Sequence, residues 1–143
     1  MLITIKNKDT LHFKKFFFKC AIGKNGFASN KKEGDKKTPK GIFKIENLYF
    51  RKDRKKKPFT KLKCIAIKKE MGWCDDTRFS KKYNKLIKIK DNIKYEKLKR
   101  EDSKYDFFIP IKYNFKKTIV GKGSCIFIHL TKNYRPTAGC IAL

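Results

Sequence analysis

Short apolar runs separated by turn-forming residues dominate the pattern of this chain. Apolar and polar positions alternate over residues 2–5, and apolar runs follow at 13–22, 42–48, 64–67, 107–113 and 125–128. Such runs, bounded by glycine and proline, are typical of β-strands. We therefore predict strands at these positions, with Phe16, Phe18 and Cys20 on one face of the second strand. Pro110 lacks a backbone N–H, which favours a sheet edge or a bulge for its strand.

One segment departs from this pattern. Residues 87–98 mix apolar and charged positions, and we predict a short helix over residues 95–100. The whole pattern then indicates a mostly β protein, with about eight short strands and at most one or two helices. We expect one domain, residues 1–143, built as a β-sandwich or a partly open barrel.

The net charge of the chain suggests which class of partner it could bind. The sequence has 39 Lys and Arg against 13 Asp and Glu, a formal net charge of +26. A balance of this size attracts polyanions, including nucleic acids. The lysines are spread along the whole chain, however, and no basic helix or aromatic RNA-binding signature accompanies them. We therefore expect no specific nucleic-acid function, whereas an anionic cell-wall polymer fits the same charge.

Cysteine and histidine usage bears on metals and redox state. The chain has five cysteines, no C-x-x-C pair and two histidines. We therefore expect neither a metal site nor a cofactor. The N-terminal residues lack the apolar core of a signal peptide, and no apolar run is long enough to span a bilayer. We expect no transmembrane segment, and a monomer.

The strongest chemical signal lies in residues 125–143. The predicted strand at 125–128 leads to His129, and a polar loop then leads to a second apolar run that begins at Cys140. A cysteine nucleophile needs a base or an imidazolium close in space. We interpret Cys140 as the nucleophile, His129 as its partner in one hairpin, and the backbone N–H groups of Gly139 and Cys140 as an oxyanion site. The alternative is an inert core cysteine.

In sequence, His129, Thr137, Gly139 and Cys140 resemble the active-site signature of the L,D-transpeptidase catalytic domain, the YkuD-type family of cell-wall enzymes. Residues 33–43 are similar to a second family segment, an acidic-Gly-Asp and Thr-Pro-x-Gly-x-Phe loop that lies near the catalytic cleft. The resemblance implies the mostly β fold of that family. It places Thr137 and Gly139 beside Cys140 and His129 in the catalytic set.

The chain also departs from the family pattern. Most members carry a second His where this chain has Ala138, and an Arg where it has Ala142. The spacing of 11 residues from His129 to Cys140 is shorter than usual. These features point to a divergent Thr-Ala-Gly-Cys subgroup. Because the sequence stops soon after Cys140, we expect its final strand to be weakly anchored.

The resemblance extends to a segment in the middle of the chain. It covers Gly-Trp-Cys-Asp-Asp at residues 72–76 and Tyr-Asn at residues 83–84. A lone tryptophan beside paired carboxylates is typical of a surface that contacts a ligand. The residues that we predict to bind substrate are Trp73, Asp75, Asp76, Tyr83, Asn84 and Arg135. The alternative is that Trp73 fills the core and that the two aspartates cap a turn.

The family resemblance implies a reaction on peptidoglycan stem peptides through a thioester on Cys140. His129 either removes the thiol proton or holds a thiolate–imidazolium pair, and the Leu130 carbonyl or Thr137 orients its ring. Under this interpretation the pKa of Cys140 is depressed, and Cys140 alkylates before the other thiols. The alternatives are an L,D-carboxypeptidase or another hydrolase with the same nucleophile, an inactive family member that only holds peptidoglycan, or a non-catalytic basic module that binds polyanions or nucleic acid. The implied location is the periplasm or cell envelope, with the cytoplasm left open by the missing signal peptide.

Overall fold

The computed structural model describes residues 2–90 and 92–143, which form thirteen β-strands and contain no helix. The mostly β prediction is confirmed, and the sheets pack in the manner of a sandwich. Position 91, within the mixed segment 87–98, lies outside the described residues. The strands are β1 (Ile3–Asn7), β2 (Thr10–Phe13), β3 (Phe16–Lys19), β4 (Phe27–Ala28), β5 (Thr38–Pro39), β6 (Asn47–Phe50), β7 (Lys63–Ala66), β8 (Met71–Cys74), β9 (Leu86–Lys88), β10 (Tyr95–Lys97), β11 (Phe107–Pro110), β12 (Phe127–His129) and β13 (Ile141–Ala142).

The largest sheet has five strands in the order β13–β12–β11–β6–β7. Strands β12, β11 and β6 are antiparallel neighbours, whereas β13 runs parallel to β12 and β7 parallel to β6. Successive side chains of a strand point to opposite faces of the sheet. Phe127 and His129 of β12 therefore share one face, and Ile128 lies on the other.

Aromatic side chains fill the space between this sheet and the sheet of order β10–β8–β9. The Trp73 ring of β8 meets Tyr49 and Phe127 edge-on, with centroid distances of 6.4 and 5.2 Å. Tyr49 also stacks on Phe108 at 4.8 Å. Such geometries add to the free energy gained from burial alone. The resulting cluster joins the two sheets and includes Cys140.

A third sheet, β1–β2–β3, covers the opposite face of the five-stranded sheet. Leu11 and Cys20 pack against Ile141 of β13, with Ile128 beside them. The C-terminal strand thus lies between two apolar layers. Ile141 points into one layer, and Cys140, one residue earlier, points into the other.

The single strand predicted over residues 13–22 is wrong. The chain reverses at Lys14 and Lys15, so that β2 ends at Phe13 and β3 begins at Phe16. Lys14 has φ +54°, a left-handed conformation that is uncommon for residues other than glycine. Because neither lysine is a typical turn former, the sequence pattern carried no signal for this hairpin.

The helix predicted over residues 95–100 is also wrong. Tyr95–Lys97 form β10, which pairs antiparallel with Gly72–Cys74 of β8. Gly72 lets the Tyr95 ring approach the backbone, since a Cβ at Gly72 would lie 2.7 Å from that ring. The tertiary contact with β8 therefore overrides the local pattern.

Other details of the predicted strands differ from the structure as well. The strand expected at 42–48 begins only at Asn47, and Pro110 lies in β11, an interior strand rather than an edge. Strand β6 pairs with β11 only at Phe107 and Phe108. Pro110, the last residue of β11, thus lies beyond that ladder and breaks none of its pairs.

Candidate active site

Cys140 lies immediately before β13, at the face of the large sheet that is covered by the aromatic cluster. Its thiol donates to the carbonyl of Cys125 at 3.2 Å, and the backbone N–H of Phe127 donates to its sulfur at 3.4 Å. Burial raises the pKa of the Cys140 thiol to about 11, although the Phe127 N–H acts in the opposite direction. The expected depressed pKa is therefore wrong, because desolvation disfavours the thiolate more than the donor favours it.

His129 is the last residue of β12, and its side chain is buried. Its Nδ1 lies 2.8 Å from the carbonyl oxygen of Leu130. Since a carbonyl only accepts hydrogen bonds, Nδ1 carries the proton and Nε2 is the basic nitrogen of the neutral ring. Burial lowers the pKa of His129, and the nearby charges of Lys104 and Arg100 act in the same direction.

Cys140 and His129 do not belong to one hairpin, because Cys140 immediately precedes β13 and His129 ends β12, which runs parallel to β13. Ile128 pairs with Ile141 and His129 with Ala142, so the Cys140 and His129 side chains share one face of the sheet. Among the described residues no hydrogen bond joins them, since each is engaged with a backbone carbonyl. The pKa directions make both groups neutral near pH 7. This arrangement fits proton removal during attack rather than a preformed ion pair.

Strand β13 is anchored on both sides. Ala21 and Ala142 exchange backbone hydrogen bonds of 2.9 and 2.8 Å, and the Leu143 N–H donates to the His129 carbonyl at 2.9 Å. The expectation of a weakly anchored final strand is therefore wrong. The segment around Ala21 covers one edge of β13, and β12 covers the other.

Thr137 fixes the turn that carries the cysteine. Its hydroxyl donates to the Cys140 carbonyl at 2.6 Å and accepts from the Gly139 N–H at 3.1 Å. Thr137 therefore does not orient His129, a role that belongs to the Leu130 carbonyl. The Gly139 N–H is likewise occupied, which argues against its use for an oxyanion. Within the described residues the Cys140 N–H has no acceptor, so it alone of the two predicted donors is available.

The loop at residues 31–41 packs directly on this turn. The Thr38 hydroxyl donates to the Gly139 carbonyl at 2.9 Å and accepts from the Gly23 N–H at 2.9 Å. Gly139 has φ +143°, and a Cβ there would lie 2.8 Å from the Lys37 carbonyl oxygen. Only glycine combines this conformation with so close an approach. The Thr-Pro-x-Gly segment therefore contacts the turn that carries Cys140.

Lys31 is a feature of the site that the sequence did not reveal. Its side chain is 2% exposed, and its Nζ pairs with Asp35 at 2.6 Å. Its aliphatic carbons lie against Gly123 and near Gly139, and its positive charge acts to lower the pKa of Cys140. A lysine-rich chain gives no signal that would distinguish this lysine from the others.

Tyr105 and Glu96 form a second group that sequence reasoning missed. The Tyr105 ring lies edge-on to His129 at a centroid distance of 5.6 Å, and its hydroxyl donates to Glu96 at 2.8 Å. Arg100 packs over the Tyr105 ring and also pairs with Glu96. Burial raises the pKa of Tyr105 far above its ordinary value, so its hydroxyl stays protonated. The segment carried no recognisable motif before the fold brought it to the His129 end of the sheet.

Three of the predicted substrate-binding residues serve the packing of the fold. Trp73 is 4% exposed, and its indole N–H donates to Asn84 at 3.0 Å. The Asn84 amide spans to the carbonyls of Tyr113 and Asn114. The Tyr83 hydroxyl donates to Glu33, which also accepts from Ser124. Burial favours the alternative in which Trp73 fills the core, and substrate contact by these side chains does not fit this geometry.

The two adjacent aspartates have different environments. Asp76 is buried and accepts hydrogen bonds from Arg78 and from the backbone of Lys94, which hold its pKa well below the ordinary range. Asp76 therefore stabilises a turn, which agrees with the alternative that the aspartates cap a turn. Asp75 lies 3.6 Å from Lys94, and its Oδ1 has no partner among the described residues. Burial raises the pKa of Asp75.

Arg135 is exposed in the loop between His129 and Cys140. Its role in substrate binding stays a prediction. In the described part of the chain, no group of three or more His, Cys, Asp and Glu side chains is arranged to hold a metal ion. Nor does that part contain a helix of the length and apolarity needed to cross a membrane.

Cys140 and the buried His129 thus share one face of the large sheet, and the Thr137 hydroxyl fixes the turn that leads to Cys140. The family model described as YkuD, the L,D-transpeptidase catalytic domain, matches residues 1–143, and the chain belongs to this family. Neither the curated proteins nor the solved structures contain a match to the chain.

Proposed function

We propose that this protein is a peptidoglycan L,D-transpeptidase that works through a thioester on Cys140. The observation that carries the proposal is the pairing of β12 with β13, which brings Cys140 and His129 to one face within a family whose members act on stem peptides. Family members typically act in the cell envelope. We propose the same location for this chain.

In the first step the Cys140 sulfur attacks the carbonyl carbon before the terminal D-amino acid of a stem peptide. His129 Nε2 takes the thiol proton as the carbon–sulfur bond forms, which is general-base catalysis from a neutral pair. The Phe127 N–H, 3.4 Å from the sulfur, stabilises the negative charge that develops there. Binding of the substrate has to break the hydrogen bond from the thiol to the Cys125 carbonyl.

The tetrahedral intermediate places a negative charge on the former carbonyl oxygen. The Cys140 N–H is the donor that we assign to this oxygen. The carbon–nitrogen bond then breaks, and the imidazolium of His129 returns its proton to the leaving amine. A D-amino acid departs, and the peptide remains on Cys140 as a thioester.

The second step decides the product. An amine that attacks the thioester gives a cross-link or an exchanged D-amino acid. Water that attacks it gives the free tripeptide, which is the L,D-carboxypeptidase reaction. Ala138 and Ala142 stand where most members have His and Arg. Ala142 is 1% exposed and pairs with His129, so an arginine side chain has no room there. The absence of these two side chains keeps hydrolysis of the thioester as the alternative outcome of the second step.

The direct test is incubation with a disaccharide tetrapeptide and a second D-amino acid, followed by mass spectrometry of the products. We expect exchange by the wild type, none by Cys140→Ala, and retained exchange by Cys64→Ala, since Cys64 lies on the opposite edge strand β7. Loss of the terminal residue without exchange identifies a carboxypeptidase instead. Absence of product from every form would contradict the proposal and favour a basic binding module.

A further inference from the structure

The free edge of the N-terminal sheet carries an unusual surface. Strand β3 pairs with β2 on one side, and no described residue pairs with its other side. Its residues Phe16, Phe17 and Phe18 are 50%, 67% and 46% exposed. Soluble proteins usually protect a free strand edge with charges or a bulge rather than with three aromatic rings. We name this surface the Phe16–Phe18 edge.

The rings of this edge lie on both faces of the sheet. Phe16 pairs with Phe13, and Phe18 pairs with Leu11, which is buried in the core. Phe16 and Phe18 therefore extend the core-facing apolar side beyond the part that the molecule covers. Phe17 lies on the other face, edge-on to His12 at 4.3 Å. A partner that covers this edge can thus contact apolar rings on both faces of the sheet.

Lysines flank this edge in the sequence. Lys14 and Lys15 precede the strand and Lys19 ends it, and all three are exposed. The ammonium groups of Lys14 and Lys15 lie 6.0 and 5.9 Å from the rings of Phe13 and Phe16. The edge therefore presents aromatic and cationic groups together, on a molecule of net charge +26.

Three kinds of partner differ in how well they match this surface. A second copy of the chain would bring like charges together, which opposes association. A soluble polyanion would match the lysines but would leave the exposed rings without an apolar environment. The surface of an anionic bilayer matches both, because aromatic rings enter the boundary between headgroups and acyl chains while lysines contact lipid phosphates.

We propose that the Phe16–Phe18 edge docks the protein on bilayers that contain anionic lipids. The edge lies on β3, which belongs to a different sheet from the strands that carry Cys140 and His129. Docking therefore does not depend on the catalytic reaction. Its test also needs no substrate, so its outcome is separate from that of the proposed function.

The test is co-sedimentation of the full chain with vesicles of phosphatidylglycerol and phosphatidylcholine, compared with phosphatidylcholine alone. We expect binding to the anionic vesicles only. The combined variant Phe16→Ser/Phe17→Ser/Phe18→Ser should bind at least about tenfold less, since apolar burial and charge act together. The control is Phe59→Ser, because Phe59 is an exposed phenylalanine that lies outside the edge.

A second control distinguishes attraction of the vesicle to the lysines of the edge from attraction to the net charge of the whole chain. Lys14→Gln/Lys15→Gln/Lys19→Gln should weaken binding more than Lys56→Gln/Lys57→Gln/Lys61→Gln, which removes the same charge elsewhere on the chain. Equal losses would overturn the proposal. So would absence of binding by the wild type, or undiminished binding by the triple serine variant, which would indicate attraction by charge alone. Self-association that the serine variant abolishes would assign the edge to a second copy instead.

A single substitution keeps the test valid if the triple variant does not fold. Phe17→Trp changes a side chain that is 67% exposed. It adds an exposed indole to a chain whose natural tryptophan, Trp73, is buried. We expect its fluorescence to shift to shorter wavelength with phosphatidylglycerol vesicles and to stay unchanged with phosphatidylcholine. An unchanged spectrum with both would overturn the proposal.

Discussion

Burial acts on Cys140 and His129 in opposite directions on the pKa scale, and both effects favour the neutral form. The thiol pKa rises to about 11, and the imidazole pKa falls below its ordinary 6.5. A resting pair of this kind has no nucleophilic sulfur until a substrate arrives. Under the proposed mechanism, reaction requires transfer of the thiol proton to His129.

Thiol labelling tests this state of Cys140. At about pH 8, a thiol of pKa near 11 is ionised in about one molecule in a thousand. Cys64 is only partly buried, so we expect iodoacetamide to modify it well before Cys140. Peptide mass spectrometry of timed samples measures the order. Modification of Cys140 first would mean that the site holds a preformed thiolate.

His129 should make stability depend on pH. Because its folded-state pKa is lowered from 6.5, the unfolded chain binds more protons than the folded chain between these two pKa values. The free energy of unfolding should therefore fall as pH decreases below about 6.5. Urea unfolding across this range should show a shallower acid decline for His129→Gln than for the wild type. Identical declines would contradict the buried neutral imidazole.

At the scale of elements, the active-site turn depends on the loop at residues 31–41. Thr38 bonds the Gly139 carbonyl, and the Lys37 carbonyl lies where a Gly139 side chain would begin. The two segments are distant in the sequence, yet each fixes the backbone of the other. Loss of this contact should displace the cysteine as well as lower stability.

Gly139→Ala measures this contact. We expect it to lower the free energy of unfolding by about 2–3 kcal/mol, from an unfavourable φ together with the clash at Lys37. Gly34→Ala is the control, since Gly34 has φ +75° with nothing within 4 Å of an added Cβ, and about 1 kcal/mol is expected there. Denaturant titration of both variants provides the comparison. Equal losses would mean that the Lys37 contact carries no free energy.

The elements also show what the sequence can predict. The strand that ends at His129 was predictable because its apolar run and the residue after it are local features. The parallel pairing of β12 with β13 was not predictable. The position of β13 depends on contacts with Ala21 on one side and β12 on the other, and no local pattern encodes these contacts. For the same reason, the sequence could not decide whether Trp73 lies in a ligand-binding surface or in the core. Its burial depends on Phe127 and Tyr49, which reach it only in the folded sandwich.

At the scale of the whole molecule, most acidic side chains form ion pairs, whereas many of the basic side chains that the structure describes do not. At least eight of the 13 acidic residues have a salt-bridge partner. The larger number of lysines leaves a strong excess of positive charge at the surface. Self-repulsion of this kind destabilises a compact state and is screened by salt.

We therefore expect sodium chloride to raise the midpoint of thermal unfolding. The physical reason is screening of lysine–lysine repulsion, which outweighs the weakening of exposed ion pairs. Scanning calorimetry at increasing salt measures the effect, and sucrose at equal osmolality is the control for solvent exclusion. A midpoint that falls with salt would show that the ion pairs dominate instead.

Intact-protein mass spectrometry, after brief incubation with a tetrapeptide substrate and an acid quench, tests directly whether Cys140 is the nucleophile. We expect an adduct equal to the peptide without its terminal D-amino acid, located on Cys140. The adduct should be absent from Cys140→Ala and should form much more slowly in His129→Ala. No adduct on the wild type, or an adduct on another cysteine, would contradict Cys140 as the nucleophile.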